Sequence, residues 1–139
     1  MGGILAGMGD HVEFLRSGYE ALQQGDLETF KELSRERLGP DFEFHLVWDG
    51  RVLKGYAGTL EWLADTRETW EEYSQEVEEI IDLGAQVVVV LSLSARGAGS
   101  GVPVAQELAV VWTFDGERAV RARSFTSRAA ALASARQAQ

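Results

Sequence analysis

The order of hydrophobic patterns along the chain predicts an α+β fold, in which helices gather on one face of a curved, mostly antiparallel sheet. Two helical patterns come first, a strand and a third helix follow, and most of the second half has the pattern of strands. The clearest strand signal runs from Val102 to Thr126, where apolar and polar residues alternate on both sides of Asp115-Gly116. An Asp-Gly pair between two such runs is typical of a tight hairpin, so this segment predicts two long paired strands.

The first strand of this hairpin should have two unlike faces, because successive side chains of a strand point to opposite sides. One face is apolar and comprises Leu108, Val110, Trp112 and Phe114, preceded by Gln106. The other face comprises Glu107, Ala109, Val111 and Thr113. We expect the apolar face to form the wall that the helices cover.

Two helices are predicted before the first strand. From His11 to Gln24, apolar residues recur at three- and four-residue spacing, which is typical of a helix with one buried stripe. Asp10 is the expected N-cap of this helix and Gly25 its expected end. Asp26 is the expected cap of a second, shorter helix, which Gly39-Pro40 should stop.

The middle of the chain predicts a strand followed by a third helix. Residues 41–49 alternate, with four inward positions occupied by Phe42, Phe44, Leu46 and Trp48. Tyr56 is expected in a glycine-bounded loop, and Thr59 is expected to cap a helix from Leu60 to about Tyr73. The pattern therefore predicts an unusually aromatic inner face close to a third covering helix.

The remaining segments predict further strands and a terminal helix. Gln86 to Ser94 is a β-branched run and is expected to be a strand. Ser74 to Asp82 fits neither period cleanly, but a short turn separates it from that run, which favours a hairpin pair. Residues 96–101 predict a flexible loop, and residues 129–139 predict a terminal helix that frays into a tail.

Composition limits the partners of the chain. The 139 residues carry a formal net charge of −9, which argues against nucleic acid or an anionic membrane as the main partner. No cysteine is present, so disulfides and thiolate chemistry are excluded. No apolar run is long enough to span a membrane, and residues 1–9 lack the basic start of a signal peptide. We therefore expect a cytoplasmic protein with a flexible leader over residues 1–9 and no cofactor.

Six segments, in order along nearly the whole chain, carry a resemblance to a known family. They are YEALQQGDLETFKEL (19–33), PDFEFH (40–45), GYAG (55–58), EVEEIIDLGAQVVVV (76–90), GSGVPV (99–104) and VVWTFDGERAVR (110–121). The chain thus resembles the SnoaL-like branch of the NTF2-like superfamily, the cone-shaped fold shared with ketosteroid isomerase and polyketide cyclases. The resemblance implies a SnoaL-like domain over residues 10–132 and a tail over residues 133–139. It also implies strand for residues 74–82, about three N-terminal helices on the concave face of the sheet, and a homodimer through its convex face.

The same resemblance implies that the expected catalytic groups are missing. The tyrosine that ketosteroid isomerases carry on the first helix falls on Gly18, next to Tyr19. Their general-base aspartate falls around His45 or Leu46, and their protonated aspartate falls on Val110. Polyketide cyclases of this fold also need a carboxylate on the wall that contains Val110. Epoxide hydrolases of the same fold need an Asp-Arg-Asp relay, which is not evident in this sequence. The wall of the pocket is therefore predicted without its usual acid or base.

His45 is the first candidate for acid–base chemistry, because it is the one core residue that titrates near neutral pH. Strict alternation puts it with Glu43 on the outer face, and a bulge would be needed to turn it inward. An outer-face histidine is the favoured interpretation and a catalytic histidine the alternative. Glu43 and His45 have a spacing compatible with metal binding, but with no third ligand in view no metal site is predicted.

Eight residues are the predicted ligand contacts. They are Trp48, Tyr56, Trp62, Gln106, Leu108, Val110, Trp112 and Ser124. Aromatic residues at these positions would line a pocket for a flat hydrophobic molecule, or would simply belong to the core. Gln106 and Ser124 would bind polar substituents of a ligand, or would bond to backbone and water.

Three functions remain open from the sequence. The first is a homodimer that binds a small hydrophobic molecule in one cone pocket per subunit. The second is an isomerase, cyclase or hydrolase with His45 as base and Gln106 or Tyr56 as hydrogen-bond donor. The third is a dimerisation domain whose cone is filled. The size of the cavity, with roughly 300 Å³ as the scale of a ligand site, and the direction of His45 distinguish them.

Overall fold

The computed structural model describes residues 2–47 and 50–137, with side chains from residue 10 onward. Its helices are α1 (Gly2–Gln24), α2 (Leu27–Arg37), α3 (Gly55–Thr69) and α4 (Arg128–Gln137). Its strands are β1 (Leu38–His45), β2 (Val52–Lys54), β3 (Trp70–Asp82), β4 (Gln86–Gly97), β5 (Pro103–Asp115) and β6 (Arg118–Phe125). They form one sheet in the order β2-β1-β6-β5-β4-β3, in which only the β1–β6 pair is parallel. The predicted α+β class with a mostly antiparallel sheet is confirmed.

The hairpin at Asp115-Gly116 forms as its sequence predicts. Gly116 has a φ of 61°, a conformation that glycine adopts without steric cost, and Asp115 pairs with Arg118 across the turn. The alternation along β5 also holds. Leu108 and Val110 are buried in one cluster with α1, and Ala109 and Val111 are buried in a second cluster on the opposite face of the sheet.

The two faces of the sheet pack against different helices. The inner face meets Phe14 and Leu15 of α1, and α3 packs beside β1, β2 and β3. On the outer face, α4 buries Ala131, Leu132 and Ala135 against β4 and β5. The sheet is therefore covered on both sides where β4 and β5 run, and the cavity lies on the inner side.

Several predicted boundaries are wrong. The first helix does not begin after Asp10, because α1 already includes residues 2–9, which the sequence analysis set apart as a leader. Asp10 lies inside the helix, with its carboxylate 3.8 Å from Arg37. Gly39-Pro40 does not stop α2 but belongs to β1, which begins at Leu38.

The third helix is also shifted from its prediction. It begins at Gly55, so Tyr56 lies in the helix and not in a loop, and the Thr59 hydroxyl donates to the Gly55 carbonyl at 3.3 Å instead of capping. It ends at Thr69, and residues 70–73, which were predicted to be helical, form the beginning of β3. The strand predicted for residues 74–82 is confirmed as part of β3.

At the C-terminal end, α4 continues through residues 133–137, with Ala135 fully buried. The terminal helix predicted from the alanine-rich sequence is confirmed. None of the helices in the described part of the chain is both long and apolar enough to cross a membrane.

Candidate ligand-binding cavity

A cavity of about 100 Å³ lies between the inner face of the sheet and helices α1 to α3. None of the described residues that line it carries a charge. They are Phe14, Leu15, Gly18, Tyr19, Leu22, Phe30, Leu33, Ser34, Leu38, Phe42, Phe44, Leu46, Thr59, Trp62, Tyr73, Gln75, Leu91, Leu108, Val110, Trp112 and Ser124. Because charged groups inside such a space would need partners, this lining suits an uncharged and mostly apolar occupant.

Gly18 enlarges the cavity because it has no side chain. It lies in the middle of α1 and faces the cavity, and a Cβ built on it would meet no described atom within 4 Å. A larger side chain at position 18 would therefore have open space beside it. The position onto which the resemblance places the isomerase tyrosine is open in this structure.

Trp112 is one of two tryptophans among the described residues that line the cavity. Its ring stacks on Phe42 at a centroid distance of 5.8 Å and an interplanar angle of 20°. Its indole Nε1 donates a hydrogen bond to the Tyr19 hydroxyl at 3.1 Å, which connects β5 to α1. The tryptophan thereby satisfies its polar atom while its ring faces the cavity.

Two tyrosines and one glutamine contribute polar groups to the lining. The Gln75 amide donates a hydrogen bond to the Tyr73 hydroxyl, two residues away on the same face of β3. Burial raises the pKa of Tyr73 to about 12 and raises the pKa of Tyr19 further. Both phenols are therefore protonated hydrogen-bond donors at neutral pH.

The remaining polar groups of the lining bond to the backbone. The Ser34 hydroxyl donates to the Phe30 carbonyl at 2.8 Å. The Ser124 hydroxyl donates to the His45 carbonyl at 3.1 Å and accepts from the Val47 amide at 2.9 Å. Ser124 thus holds the end of β1 beside β6, and its hydroxyl is already engaged on both sides.

A second cavity of about 280 Å³ adjoins the first near the turn between α1 and α2. The two cavities share four lining residues, Leu22, Trp62, Tyr73 and Gln75. The second one is more polar at its rim, where Arg67 and Glu71 contribute to the lining. Trp62 and Tyr73 meet edge to face at 6.2 Å in the wall between them.

The structure brings together part of the predicted set of ligand contacts. Trp62, Leu108, Val110, Trp112 and Ser124 all line the first cavity. Tyr56 does not, because its hydroxyl accepts from Arg35 at 3.2 Å and its ring lies under that guanidinium. Gln106 lies outside the lining near the start of β5, and Trp48 is outside the described residues.

His45 lies on the outer face of β1, as strict alternation predicts. Its Nε2 donates to the Glu43 carboxylate at 3.0 Å, and this hydrogen bond lowers the pKa of Glu43. The imidazole does not line either cavity. Within residues 2–47 and 50–137, no three His, Asp or Glu side chains stand close enough to hold a metal ion.

Comparison with known proteins identifies the family. The model of the SnoaL-like domain family matches residues 15–122, more than half of the chain. The chain belongs to the SnoaL-like domain family. No curated protein shows a significant match to the chain.

Solved structures of SnoaL-like and NTF2-like proteins share the fold of this domain. An NTF2-like protein of unknown function from Burkholderia pseudomallei is 20% identical and superposes with a TM-score of 0.72, covering 89% of this chain and 95% of that one. A proposed SnoaL-like polyketide cyclase from a Jannaschia species is 21% identical, with a TM-score of 0.72 and 91% of each chain covered. TerC, crystallised with polyporic acid, is 21% identical, with a TM-score of 0.70 over 87% of this chain and 94% of that one. At such identities these likenesses establish the fold and nothing more specific.

Sequence reasoning missed Tyr73, Gln75 and the open position at Gly18. Tyr73 was assigned to the end of the third helix, which separated it from Gln75. Reading residues 70–82 as one alternating strand would have placed both side chains on the same inner face. Gly18 was recognised only as a position without the expected tyrosine, although a glycine on the buried stripe of a helix is also a signal for free space.

Proposed function

We propose that the domain binds a small, uncharged, mostly apolar molecule in the cavity between the sheet and α1 to α3. The observation that carries the proposal is the uncharged lining of that cavity, with Trp112, Leu108 and Val110 on one side and Gly18 on the other. An engineered apolar cavity of about 150 Å³ is large enough to take up benzene. The first cavity, at about 100 Å³, is of the same order, and it shares lining residues with a second cavity of about 280 Å³ into which a small ring can extend.

The enzyme alternative has less support. General acid–base catalysis needs a group that exchanges a proton near the working pH within reach of the substrate. The described lining offers Tyr19 and Tyr73, and burial raises the pKa of both away from neutrality. His45 bonds to Glu43 outside the cavity. We therefore expect His45→Ala to leave both ligand affinity and any detected turnover unchanged, and a loss of either would favour the enzyme.

Binding is tested with toluene as a one-ring probe and with two variants of Gly18. Calorimetry should show saturable binding to the wild type and to Gly18→Ala, because a single methyl group leaves most of the space open. Gly18→Leu should abolish binding, because its side chain would occupy the cavity while suiting a helix as well as alanine does. Unfolding curves of both variants check that the fold persists. Toluene binding that survives in Gly18→Leu, or is absent from the wild type, would contradict the proposal and favour a filled cone.

We also propose that two copies associate through the part of the outer face that α4 leaves uncovered. Val52 on β2 is 42% exposed and pairs with His45 across the β1–β2 ladder, so an apolar side chain stands on that open surface. Val52→Lys should weaken self-association in sedimentation equilibrium, whereas Val102→Lys, on the 57% exposed loop before β5, should not. A monomeric wild type would contradict the dimer. The cytoplasmic location remains a prediction of the sequence, which cell fractionation tests.

A further inference from the structure

The second cavity, of about 280 Å³, has features that an uncharged apolar molecule does not explain. Its lining includes three aromatic side chains, Trp62, Trp70 and Tyr73. The rings of Trp62 and Tyr73 lie 6.2 Å apart at an interplanar angle of 77°, so they form adjoining walls at nearly a right angle. Aromatic rings attract a cation that lies over their faces within about 6 Å, and more strongly where water is excluded. A space lined by several such rings is therefore suited to an organic ammonium group.

A β-bulge turns a carboxylate toward the same space. Trp70 lies opposite Gly97 and Glu72 lies opposite Arg96, so Glu71 is one extra residue on β3. Consecutive residues of a regular strand point to opposite sides, yet Trp70 and Glu71 both line the second cavity. A bulge permits this, because the extra residue is unpaired and its side chain is re-aimed. The irregularity in β3 thus adds a negative charge to the aromatic lining.

Glu71 and Arg67 carry the formal charges of the described lining. Neither forms an ion pair or a hydrogen bond within the part of the chain that the structure describes, whereas the neighbouring Glu72 pairs with Arg96 at 3.7 Å. Both side chains are exposed, so both can turn toward a ligand. These two residues alone leave the sign of the occupant's charge open, and the rest of the lining decides it.

Two helix ends of negative sign border the cavity. Gly25, directly after α1, and Thr66, in the last turn of α3, both contribute to the lining. The C-terminal end of a helix carries a partial negative charge that favours cations. The N-terminal end of α2 has the opposite sign and reaches the cavity at Leu27, but the Asp26 carboxylate caps it. Helix ends and aromatic rings therefore both favour a positive occupant, and Arg67 opposes it.

We propose that the second cavity binds a small organic cation, an alkylated ammonium group that contacts Trp62 and Trp70 and whose charge faces Glu71. The inference goes beyond the proposed function, because it assigns an occupant of different chemistry to the neighbouring space. Glu71 is the counter-ion, and the tryptophans supply the contact surface. Arg67 lowers the affinity for the cation.

The test uses three probes of nearly the same shape and different charge. Choline is positive, 3,3-dimethylbutan-1-ol is its uncharged isostere, and 3,3-dimethylbutanoate is negative. Their binding is followed by nuclear magnetic resonance through the indole N–H signal of Trp70, which lines only the second cavity. Choline should bind on the order of 10-fold more tightly than the alcohol, as expected for cation–π contacts in a partly desolvated site. The carboxylate should bind most weakly, and equal or reversed affinities would overturn the proposal.

Charge variants determine which side chain faces the ligand. Glu71→Gln should weaken choline binding by about 3- to 5-fold, the scale of one exposed ion pair, and leave the affinity for the alcohol unchanged. Arg67→Gln should strengthen choline binding. Glu72→Gln is the matched control and should change neither affinity, because Glu72 is paired with Arg96 and lies outside the lining. A site for anions would respond to Glu71→Gln and Arg67→Gln in the opposite directions, which would contradict the assignment.

Two further variants separate this site from the first cavity. Trp70→Leu should reduce the preference for choline over the alcohol, because it removes a ring and keeps an apolar side chain; an unchanged preference would overturn the role of the ring. Gly18→Leu should bind choline as the wild type does, because position 18 lines only the first cavity. If toluene binds and the preference for choline is absent, the cation site is wrong and the proposed function stands. If choline binds and toluene does not, the cation site stands and the proposed function is wrong.

Discussion

Trp112 stabilises the inner wall through both its ring and its N–H group. The ring contacts Phe42 face to face and Phe14 edge to face, and the indole nitrogen donates to Tyr19. Trp112→Ala should therefore lower the free energy of unfolding by roughly 3–5 kcal/mol, as is typical when a large core aromatic is truncated. Denaturant unfolding measures the effect.

Trp112→Phe is the matched variant, because it keeps an aromatic ring and removes only the N–H group and part of the ring area. Its cost should be smaller, with about 1–3 kcal/mol expected when a partly buried hydrogen bond loses one partner. If Trp112→Ala were nearly neutral, the inner face of β5 would be misassigned.

Because Tyr73 is buried, its titration should reduce the stability of the fold at alkaline pH. Burial raises the pKa of its phenol from 10.0 to about 12, so the unfolded chain gives up this proton before the folded chain does. The contribution of this phenol to the free energy of unfolding is fully present below pH 10. It is lost as the pH rises from 10 to 12, by at most about 1.4 kcal/mol per pH unit. The free energy of unfolding, measured between pH 8 and 12, should therefore fall less steeply with pH for Tyr73→Phe than for the wild type. Identical slopes would mean that Tyr73 is not buried as described.

For individual side chains, the sequence predicted the apolar wall of the cavity well and its polar residues poorly. Alternation alone placed Leu108, Val110 and Trp112 on the inner face, because the period of a strand is a local property. It could not place Tyr73 beside Gln75, because that requires knowing where α3 ends. Tyr56 was misplaced for a related reason, since only the packing of α3 brings it to Arg35.

Two glycines in helices have opposite roles: Gly58 is buried near the start of α3, and Gly18 lies in the middle of α1 and lines the cavity. A Cβ at Gly58 in α3 would lie 2.8 Å from the backbone carbonyl carbon of Leu53, which is closer than real Cβ contacts allow. A Cβ at Gly18 in α1 would meet no described atom within 4 Å. Gly58 therefore permits α3 to approach β2 closely, whereas Gly18 leaves the cavity open.

The same substitution should consequently have opposite effects at the two positions. Gly18→Ala should raise the free energy of unfolding by roughly 0.5–1 kcal/mol, the usual gain when alanine replaces glycine in a helix. Gly58→Ala should lower it by about 1–3 kcal/mol, because α3 must move away from β2. Thermal and denaturant unfolding of the two variants in one series measures both. A shift in the same direction for both would contradict the described packing of one of the helices.

Element boundaries show where local sequence signals end. Asp26 caps α2 as predicted, with its carboxylate accepting from the Thr29 amide at 3.2 Å, because a cap depends on neighbours in the chain. The change from α3 to β3 between Thr69 and Trp70 has no glycine or proline to signal it. It is set by pairing with β4, where Trp70 lies opposite Gly97, and a contact so distant in the sequence leaves no local pattern.

In the whole molecule, the two faces of the sheet have different roles. Helices α1 to α3 leave space on the inner face, whereas α4 packs closely on the outer face, where Arg128 also forms an exposed ion pair with Glu79 at 2.8 Å. Ala135 of α4 is fully buried against the sheet, and Ala133 on the same helix is exposed. The outer face is therefore closely packed under α4, while the inner face keeps a cavity.

Ala135→Glu should therefore be strongly destabilising. It introduces a carboxylate into the buried apolar cluster that α4 forms with β4 and β5, and we expect a loss of more than about 2 kcal/mol in the free energy of unfolding. Ala133→Glu is the matched control and should be nearly neutral. Equal melting temperatures for the two variants would show that α4 does not cover the outer face.

The central claim is that a small apolar molecule binds between α1 and β5, and nuclear Overhauser effects test it most directly. With toluene bound to the isotopically labelled protein, cross-peaks should connect the toluene protons to the indole N–H of Trp112 and the methyl groups of Val110. No cross-peak should reach Val111, the next residue along β5, which faces α4 on the opposite side of the sheet. Cross-peaks to Val111 in place of Val110, or none to either under saturating toluene, would contradict the account.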